Sequence, residues 1–345
     1  MVRVGLVGYG LAGAQFHAPM LQAAGLEVAG VVTRDAARVA QVTRELPRAL
    51  VLPDVPALLA QPGVDLVVVA SPSGRHVEHA AAALAAGIGV VVDKPLAVDA
   101  PSARHLVATA RRGGIPLTVF QNRRYDPEFA TVRDLVAAEA LGSVRGAELR
   151  WERWRPVGLD RWRERLPPAE GGGLLLDLGT HLVDQAVLLL GPVAAVYAQV
   201  RSWTTLAEDY AFLVLHHVGG LVTQVTMSSV AGAPGPRWRV TGSDGTFVLG
   251  SAGAEASAFP DADGPPGQHG WVVRGERREP VRARVADPVD FYRQVAVALG
   301  SAHPQEGMPV DPDDAVHVLA VLDAARVSAR ERRAVDVAVA PEPSA

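Results

Sequence analysis

The glycine-rich stretch near the start limits the fold of this chain more than any other feature. A short apolar, β-branched run over residues 2–7 predicts a buried strand, and it breaks into Gly8, Gly10 and Gly13. An amphipathic helix is predicted next, over about residues 14–24. A strand, a Gly-x-Gly-x-x-Gly turn and a helix in this order form the context that a dinucleotide-binding fingerprint requires. An ordinary glycine-rich turn is the alternative interpretation.

Each glycine of this turn has its own physical task. We expect Gly8 to allow the tight turn, Gly10 to let the backbone approach a pyrophosphate, and Gly13 to let the helix pack on the strand. The helix N-terminus then offers N–H groups to the phosphates. The predicted cofactor contacts of this turn are Gly8, Tyr9, Gly10, Leu11, Ala12 and Gly13.

The end of the second predicted strand bears on the choice between NAD and NADP. Domains that bind NAD often place an acidic residue there, on the ribose hydroxyls, whereas this chain has Thr33 and Arg34. An arginine can pair with a 2′-phosphate, so we predict NADP, with NAD as the alternative. Asp35 is more simply the N-cap of the next helix. Arg34 as a solvated surface cation is the competing interpretation.

Strands and helices alternate to about residue 120, and the pattern then changes. The alternation predicts an α/β fold whose N-terminal Rossmann domain, residues 1–120, has a doubly wound parallel sheet. Clustered strands with few crossover helices predict a C-terminal α+β domain over residues 121–345 with an open, mostly antiparallel sheet. We expect a second subunit to cover the open face. Residues 252–270 predict a surface loop, and the tail after about residue 337 is expected to be disordered.

Composition excludes several classes of function. The net charge of −4 gives no basic field for nucleic acid or an anionic membrane. The absence of cysteine excludes disulfides, thiolate metal sites and cysteine catalysis. The sequence enters its first strand at once, leaving no room for a leader, and no apolar run reaches the length of a membrane span. We therefore expect a cytoplasmic protein.

Polar residues follow two buried strands of the first domain, where ligands bind in open α/β sheets. The first turn contributes Ser71, Pro72, Ser73 and His76, and the second contributes Asp93, Lys94 and Pro95. Lys94 can hydrogen-bond a substrate hydroxyl and help to move its proton. A surface lysine beside a turn proline is the equally weighted alternative.

A second group of polar residues lies in the apolar stretch 171–184, which begins with three glycines. If this stretch is helical, Asp177 and His181 are i,i+4 neighbours on one face. An aspartate that orients an imidazole is an arrangement for proton transfer. A metal site is the rival interpretation, but no third ligand is evident and we predict no metal. A polar pair satisfied by its neighbours is the structural alternative.

Arginines and aromatic residues interleave in the second predicted domain. They could stack on bases, but the acidic net charge argues against nucleic acid. They also suit a polyol or sugar, whose hydroxyls need donors and whose C–H faces favour aromatic rings. A solvated charged face is the alternative for Arg161 and Arg163. The group comprises Asn122, Arg123, Arg124, Tyr125, Trp151, Arg153, Trp154, Arg155, Arg161, Trp162 and Arg163.

Taken together, these motifs resemble the glucose–fructose oxidoreductase, inositol dehydrogenase and rhizopine catabolism (Gfo/Idh/MocA) family. The resemblance runs from Val4 to about Arg333 and rests on the glycine turn, on Asp93-Lys94-Pro95 and on the stretch 171–184. Within the family, the NADP-dependent scyllo-inositol dehydrogenase branch is the most similar, through segments that include Phe16-His17-Ala18-Pro19 and Arg161-Trp162-Arg163.

The resemblance implies a Rossmann domain, an α/β substrate domain with an open sheet, and homodimers or homotetramers built on that sheet. It also implies reversible hydride transfer between a nicotinamide cofactor and a carbon of a sugar or cyclitol. The catalytic residues it implies are Lys94, Asp177 and His181. The chain departs from the family in one position, because Asp93 stands where the family usually has glutamate.

The sequence therefore predicts an NADP-dependent polyol dehydrogenase. A reductase of another carbonyl (an aldose, keto-sugar or dihydrodiol) is the rival enzyme, and a non-catalytic NADP-binding sensor is the rival from another class. Besides the glycine turn, the predicted cofactor contacts are Thr33, Arg34, Ser71, Pro72, Ser73, His76, Asp93, Lys94, Pro95, Asn122 and Arg123. The predicted substrate contacts are Lys94, Arg123, Tyr125, Trp154, Arg155, Arg161, Trp162, Asp177 and His181.

Overall fold

The computed structural model describes residues 2–159, 161–251 and 258–338. By internal packing the chain divides into two units, Met1–Asn122 with Pro288–Val316, and Arg123–Asp287 with His317–Ala345. The sequence analysis placed everything after residue 120 in one domain. The membership of Pro288–Val316 in the first unit corrects that expectation, and its reason is a long-range aromatic contact that local patterns do not reveal.

The first unit contains a six-stranded parallel sheet in the order β3-β2-β1-β4-β5-β6. Its strands are β1 (Arg3–Val7), β2 (Glu27–Val32), β3 (Leu50–Leu52), β4 (Leu66–Val69), β5 (Gly89–Asp93) and β6 (Leu117–Phe120). Its first helices are α1 (Ala18–Ala23), α2 (Ala36–Glu45), α3 (Val55–Leu59), α4 (His76–Ala85) and α5 (Ala100–Gly113). Every residue of β4 and β5 is buried, as a continuous apolar run predicts for a strand covered on both faces. The predicted Rossmann sheet is confirmed.

Aspartates begin three of these helices. The side chains of Asp35, Asp54 and Asp99 each accept a hydrogen bond from the backbone N–H three residues later, at 2.7–2.9 Å. Such caps satisfy N–H groups that the first helical turn leaves without partners. The predicted N-cap at Asp35 is therefore confirmed.

The second unit contains a nine-stranded mixed sheet in the order β14-β13-β12-β11-β7-β10-β9-β8-β15. The β7–β10 pair is parallel and the other pairs are antiparallel. The strands are β7 (Val144–Glu152), β8 (Val193–Arg201), β9 (Tyr210–His217), β10 (Val222–Ser228), β11 (Trp238–Gly242), β12 (Thr246–Leu249), β13 (Gln268–Arg274), β14 (Arg277–Arg282) and β15 (Val335–Asp336). The remaining helices of the chain are α6 (Pro127–Ala137), α7 (Trp162–Arg165), α8 (Thr180–Leu190), α9 (Asp290–Leu299) and α10 (Pro312–Glu331). The predicted open, mostly antiparallel sheet is confirmed.

Several local predictions need correction. The hairpin β13–β14 was not predicted, because its charged residues hide the alternation, and β13 begins inside the predicted loop 252–270. Within that loop, residues 252–257 lie outside the described part of the chain. So does the predicted disordered tail from residue 339 onward. No helix in the described part of the chain combines the length and apolar character needed to cross a membrane.

Two predicted helices begin with a wider, π-helical turn. The segment Gly13–His17 precedes α1, and the segment Leu175–Gly179 precedes α8. A π turn inserts one extra residue into the helical ladder and changes the direction of the side chains that it carries, and such turns are frequent at functional sites. Each segment carries one polar side chain of interest, His17 in the first and Asp177 in the second.

A buried ion pair ties α8 to the start of the second unit. Asp184, whose side chain is 3% exposed, accepts hydrogen bonds from Arg124 Nε at 2.9 Å and Nη2 at 2.5 Å. We expect Asp184→Asn to lower the free energy of unfolding by about 3 kcal/mol, because it takes the counter-charge from a buried guanidinium. Urea unfolding followed by circular dichroism measures this change.

The matched control is Glu78→Gln, which removes the carboxylate of an ion pair with Arg75 that is more than half exposed. Its effect should stay below about 0.5 kcal/mol. Equal midpoints for Asp184→Asn and the control would contradict a stabilising role for the buried pair.

Candidate active site

The glycine turn is packed so closely that two of its residues must be glycine. Gly8 has φ +102°, and a Cβ there would lie 2.7 Å from the carbonyl oxygen of Ala70. A Cβ on Gly13 would lie 2.2 Å from the carbonyl oxygen of Gly8. These distances are too short for real atoms, so the fold itself requires both glycines.

Gly10 differs, because a Cβ there would meet no heavy atom within 4 Å. The fold of the described chain therefore gives no reason for glycine at this position, and the neighbouring Leu11 is exposed. A bare backbone facing open space is what the close approach of a pyrophosphate requires. The turn thus fits a dinucleotide, with Gly10 as the predicted point of nearest approach.

Arg34 is held at the carboxyl end of β2 by the residues that follow β3. Its Nε donates to the carbonyl oxygen of Pro53 at 2.7 Å, and one Nη lies 3.6 Å from a carboxylate oxygen of Asp54. The side chain remains 75% exposed. The neighbouring Thr33 is half-buried. Arg34 is thus oriented by its neighbours and exposed to solvent, and its contact with a 2′-phosphate stays a prediction.

Tyr9 and His76 have buried side chains. The Tyr9 hydroxyl donates to Glu45 at 2.9 Å, and burial is the main reason why the pKa of Tyr9 is raised. Any contact of Tyr9 with a cofactor is therefore through its backbone. The ring nitrogens of His76 lie 2.7 Å from the carbonyl oxygen of Pro95 and 2.8 Å from that of Ser71. His76 thus links the turns after β4 and β5. Burial lowers the pKa of His76, against the opposing effect of Asp93.

Lys94 is half-buried and directly follows β5. Its backbone N–H donates to Asp93 Oδ1 at 2.9 Å, and the peptide bond to Pro95 is cis. One signal in the sequence was overlooked: of the 33 Lys and Arg residues, every one except Lys94 is an arginine. A guanidinium stays protonated at all relevant pH values, whereas an amine can release its proton. The single lysine therefore stands where proton transfer was predicted.

The second unit places Asp177 in the π-helical turn and His181 in the first turn of α8. One carboxylate oxygen of Asp177 lies 3.3 Å from Nε of Arg163. His181 is buried and its ring stacks on that of Trp151, with centroids 5.9 Å apart and planes at 29°. The stretch is helical, as the sequence predicted, and both side chains come from its first two turns.

Trp151 is the centre of a cluster of arginines, and the sequence analysis had placed Trp151, Arg123 and Arg153 in one group without predicting that they meet. The guanidinium groups of Arg123, Arg153 and Arg237 lie 4.9, 5.2 and 4.3 Å from the centre of its ring. Arg237 was not predicted, since it lies far from the other members in sequence, directly before β11. The alternation of β7, which turns Trp151 inward, is the signal that identifies the tryptophan.

Arg123 also donates to Asp126 at 2.9 Å. Burial raises the pKa of Asp126 to about 6, although the charge of Arg123 opposes the shift. The carboxyl group of Asp126, beside Arg123, thus has a pKa closer to neutrality than an ordinary aspartate.

The other predicted substrate residues are spread over the same unit. Trp154 is 60% exposed and pairs through its backbone with Val230. Arg161 forms an ion pair with Glu164, and Trp162 lies 4.4 Å below the guanidinium of Arg163. The remaining members are half-buried, and they are Asn122 of the first unit with Tyr125 and Arg155 of the second. Among the described residues, no three acidic or histidine side chains form a group that could hold a metal.

These observations define a class of protein. The first unit is a Rossmann-type dinucleotide-binding domain with a lone lysine at a strand end. The second unit has a large mixed sheet, an aspartate and histidine at a helix start, and a tryptophan surrounded by arginines. Such a combination of groups belongs to a nicotinamide-dependent oxidoreductase that acts on a small polar molecule.

Comparison with known proteins gives the particular family. A model of the oxidoreductase family with an NAD-binding Rossmann fold matches residues 2–121, and a model of the GFO/IDH/MocA C-terminal domain matches residues 129–248. The chain is 30% identical to a scyllo-inositol 2-dehydrogenase (NADP(+)) of Bacillus subtilis, covering 97% of this chain and 95% of the relative. It is 28% identical to D-xylose 1-dehydrogenase (NADP(+)) 2 of Haloferax volcanii, covering 96% and 99%.

A solved structure of a putative oxidoreductase from Klebsiella pneumoniae is also similar, with a TM-score of 0.85 and 31% identity, covering 99% of this chain and 97% of that one. The chain belongs to the Gfo/Idh/MocA family. It is an NAD(P)-binding oxidoreductase that acts on CH–OH groups of a small molecule, so the predicted family, enzyme class and cofactor type are confirmed.

Gly10 and Gly13 give a paired test of the glycine turn. We expect Gly10→Ala to leave the melting temperature unchanged but to raise the dissociation constant of NADPH at least about tenfold, because its methyl group occupies the approach of the pyrophosphate. Gly13→Ala should lower the free energy of unfolding by at least about 2 kcal/mol, because its methyl group collides with the Gly8 carbonyl.

Thermal melting and titration of NADPH fluorescence measure the two quantities. Wild-type affinity for NADPH in a folded Gly10→Ala variant would show that no ligand approaches the backbone there.

Proposed function

We propose that this enzyme is an NADP-dependent dehydrogenase of a cyclitol or closely related polyol, similar to scyllo-inositol. The observation that carries the proposal is Lys94, the single lysine of the chain, at the carboxyl end of a strand in the NAD-binding domain. The activity named for the Bacillus subtilis relative, over nearly the whole chain, supports the cyclitol. The arginines and tryptophans of the second unit suit a ligand with many hydroxyl groups.

Oxidation removes a proton from the substrate hydroxyl and a hydride from the carbon that carries it. In the direction of oxidation, His181 takes the hydroxyl proton, and Asp177 orients its imidazole. Lys94 donates a hydrogen bond to the substrate oxygen and holds it while the proton leaves. A bound nicotinamide supplies the hydride acceptor. Gly10 and the rest of the glycine turn hold the pyrophosphate, and Arg34 holds the 2′-phosphate.

An aldose is the second candidate substrate, because the Haloferax volcanii relative is named a D-xylose 1-dehydrogenase. Both substrates present a secondary or hemiacetal C–H beside a hydroxyl, so the same three side chains serve either reaction.

We also propose that the enzyme is a homodimer or homotetramer formed through the open face of the second sheet. Along β9, buried residues alternate with half-exposed ones, and the half-exposed set includes Tyr210, Phe212 and Val214. Three large, mainly apolar side chains on one face of a strand favour contact with another protein surface rather than with water. The cytoplasmic location expected from the sequence stays a prediction.

The direct test is the initial rate of NADP and of NAD reduction with a panel of inositols and aldoses. Turnover with NADP and a cyclitol is the expected result. A preference for aldoses would select the second candidate, and binding of NADPH without turnover across the panel would favour a sensor.

Substitutions of the proposed catalytic residues test their roles. We expect Lys94→Ala, Lys94→Arg and His181→Ala each to lower kcat at least about 100-fold while NADPH still binds. Lys94→Arg is informative because it keeps the positive charge but removes the amine. Full turnover in both the Lys94→Ala and the His181→Ala variants would show that the assignment is wrong.

Arg34 allows a separate test of cofactor preference. We expect Arg34→Ala to raise the KM for NADP about tenfold or more and to leave the KM for NAD nearly unchanged, because a charge-assisted hydrogen bond to the 2′-phosphate is lost. Arg104→Ala, at an exposed position on α5, is the control for a general loss of positive charge. An equal change for both cofactors would contradict the role of Arg34.

A further inference from the structure

A chain of three buried polar groups, Tyr292, His17 and Asp93, leads to Lys94. The proposed reaction does not use these three groups. The hydroxyl of Tyr292 lies 2.5 Å from Nδ1 of His17, and Nε2 of His17 lies 3.7 Å from Oδ1 of Asp93. The same Oδ1 accepts the backbone N–H of Lys94. Tyr292 and His17 are fully buried and Asp93 is nearly so. All four residues belong to the first unit.

Aromatic rings enclose this chain of groups. Phe120 packs 4.4 Å from the ring of His17 and 5.6 Å from that of Tyr292, and Phe291 packs against both Phe120 and Tyr292. Polar groups in such apolar surroundings are costly unless they pair with one another. The imidazole of His17 therefore lies between a hydroxyl at hydrogen-bond distance and a carboxylate 3.7 Å away, and the ring of Phe120 packs against it at an angle of 47°.

The carboxylate of Asp93 determines which group donates a proton at each contact between Tyr292, His17 and Asp93. When Tyr292 donates to Nδ1 of His17, the proton of the imidazole lies on Nε2 and points toward Asp93. In the other neutral tautomer, a lone pair of Nε2 would face the negative carboxylate. The first arrangement is favourable and the second is repulsive, so Tyr292 and Asp93 together select the Nε2–H form.

The pKa of Asp93 is lowered despite its burial. Burial alone raises the pKa of Asp93, but His17, Lys94 and His76 together lower it by more, so the pKa lies below its ordinary value. The pKa of Tyr292 is raised well above its ordinary value, first by burial and then by the charge of Asp93. The groups that face the carboxylate are thus two histidines, one phenol and the lysine.

We propose that His17 and Tyr292 are positioning residues that hold the Asp93 carboxylate in place, so that this carboxylate fixes the backbone from which the Lys94 side chain extends. The proposal rests on the proposed function, in which Lys94 donates to the substrate oxygen. It explains why a histidine and a tyrosine far apart in sequence are buried together at this strand end. It also assigns a task to Pro288–Val316, the segment that supplies Tyr292 to the first unit.

The single lysine makes the proposal testable without any substrate. Trinitrobenzenesulfonate labels unprotonated amines, which in this protein are Lys94 and the α-amino group. Peptide mapping distinguishes the labelled Lys94 peptide from the labelled N-terminal peptide. We expect Asp93→Asn and His17→Phe to raise the rate of Lys94 labelling at pH 8 about three- to tenfold, because each weakens the hold of the Asp93 carboxylate on the Lys94 backbone and so makes the amine more accessible to the reagent. Circular dichroism confirms that each variant is folded.

Thr118→Val is the matched control. The buried Thr118 hydroxyl donates to the carbonyl oxygen of Val310, which belongs to the segment Pro288–Val316 that also supplies Tyr292. Its labelling rate should equal that of the wild type. Tyr292→Phe, which removes one hydroxyl, should raise the rate by a smaller factor, and it carries the test if His17→Phe does not fold. His17→Gln restores an amide donor toward Asp93 and should return the rate toward the wild-type value.

Turnover and cofactor binding complete the experiment. With the best substrate of the panel, His17→Phe should lower kcat about tenfold, with less than a twofold change in the dissociation constant of NADPH. A labelling rate in Asp93→Asn and in His17→Phe equal to that of Thr118→Val would overturn the proposal. Because labelling needs no substrate, the absence of turnover in the wild type would refute the proposed function alone.

Discussion

The close contact between Gly13 and the carbonyl oxygen of Gly8 is the constraint on which the first unit depends. It brings the start of the helical segment back against the end of β1, and Gly8 itself packs against Ala70 after β4. Because no side chain fits into either contact, two neighbouring strand ends and one helix start meet at a single point. Gly10 is then left on the outside of the turn. The same packing that closes the fold therefore exposes the bare backbone that a cofactor needs.

Irregular helical turns carry the residues with functional assignments in both units. His17 ends the π-helical segment before α1, and Asp177 lies within the π-helical segment before α8. A regular helix would direct these side chains along the face set by its 3.6-residue repeat, whereas the wider turn gives them another direction. Each irregular turn thus costs some helical regularity and gains the placement of one polar side chain.

Much of the fold followed from local pattern. The strands of the first sheet are largely apolar runs, and most of the strands in the second sheet alternate, so both sheets could be predicted. The hairpin β13–β14 could not, because arginine and glutamate occupy its outward positions. The return of Pro288–Val316 to the first unit depends on Phe291 and Tyr292 meeting Phe120, and no local pattern encodes that meeting.

The candidate site shows the same division. Lys94, Asp177 and His181 could be proposed from motifs. That the sequence contains only one lysine was a further signal for Lys94. The cluster of arginines around Trp151 and the chain from Tyr292 to Asp93 join residues from distant elements, so only the structure brings them together. Sequence patterns locate the groups that act on a ligand more readily than the groups that hold them in place.

Lys94 illustrates why the supporting groups matter. The backbone around it is fixed on both sides, since Asp93 accepts its N–H and His76 binds the carbonyl oxygen of Pro95. Nε2 of His17 lies 3.7 Å from that aspartate, and His76 links the same segment to the turn after β4. The backbone that carries the amine is therefore fixed, while the Lys94 side chain remains half-exposed. An amine that must hold one oxygen through a reaction needs both properties, because the fixed backbone sets its position and the flexible side chain lets it follow the change in charge.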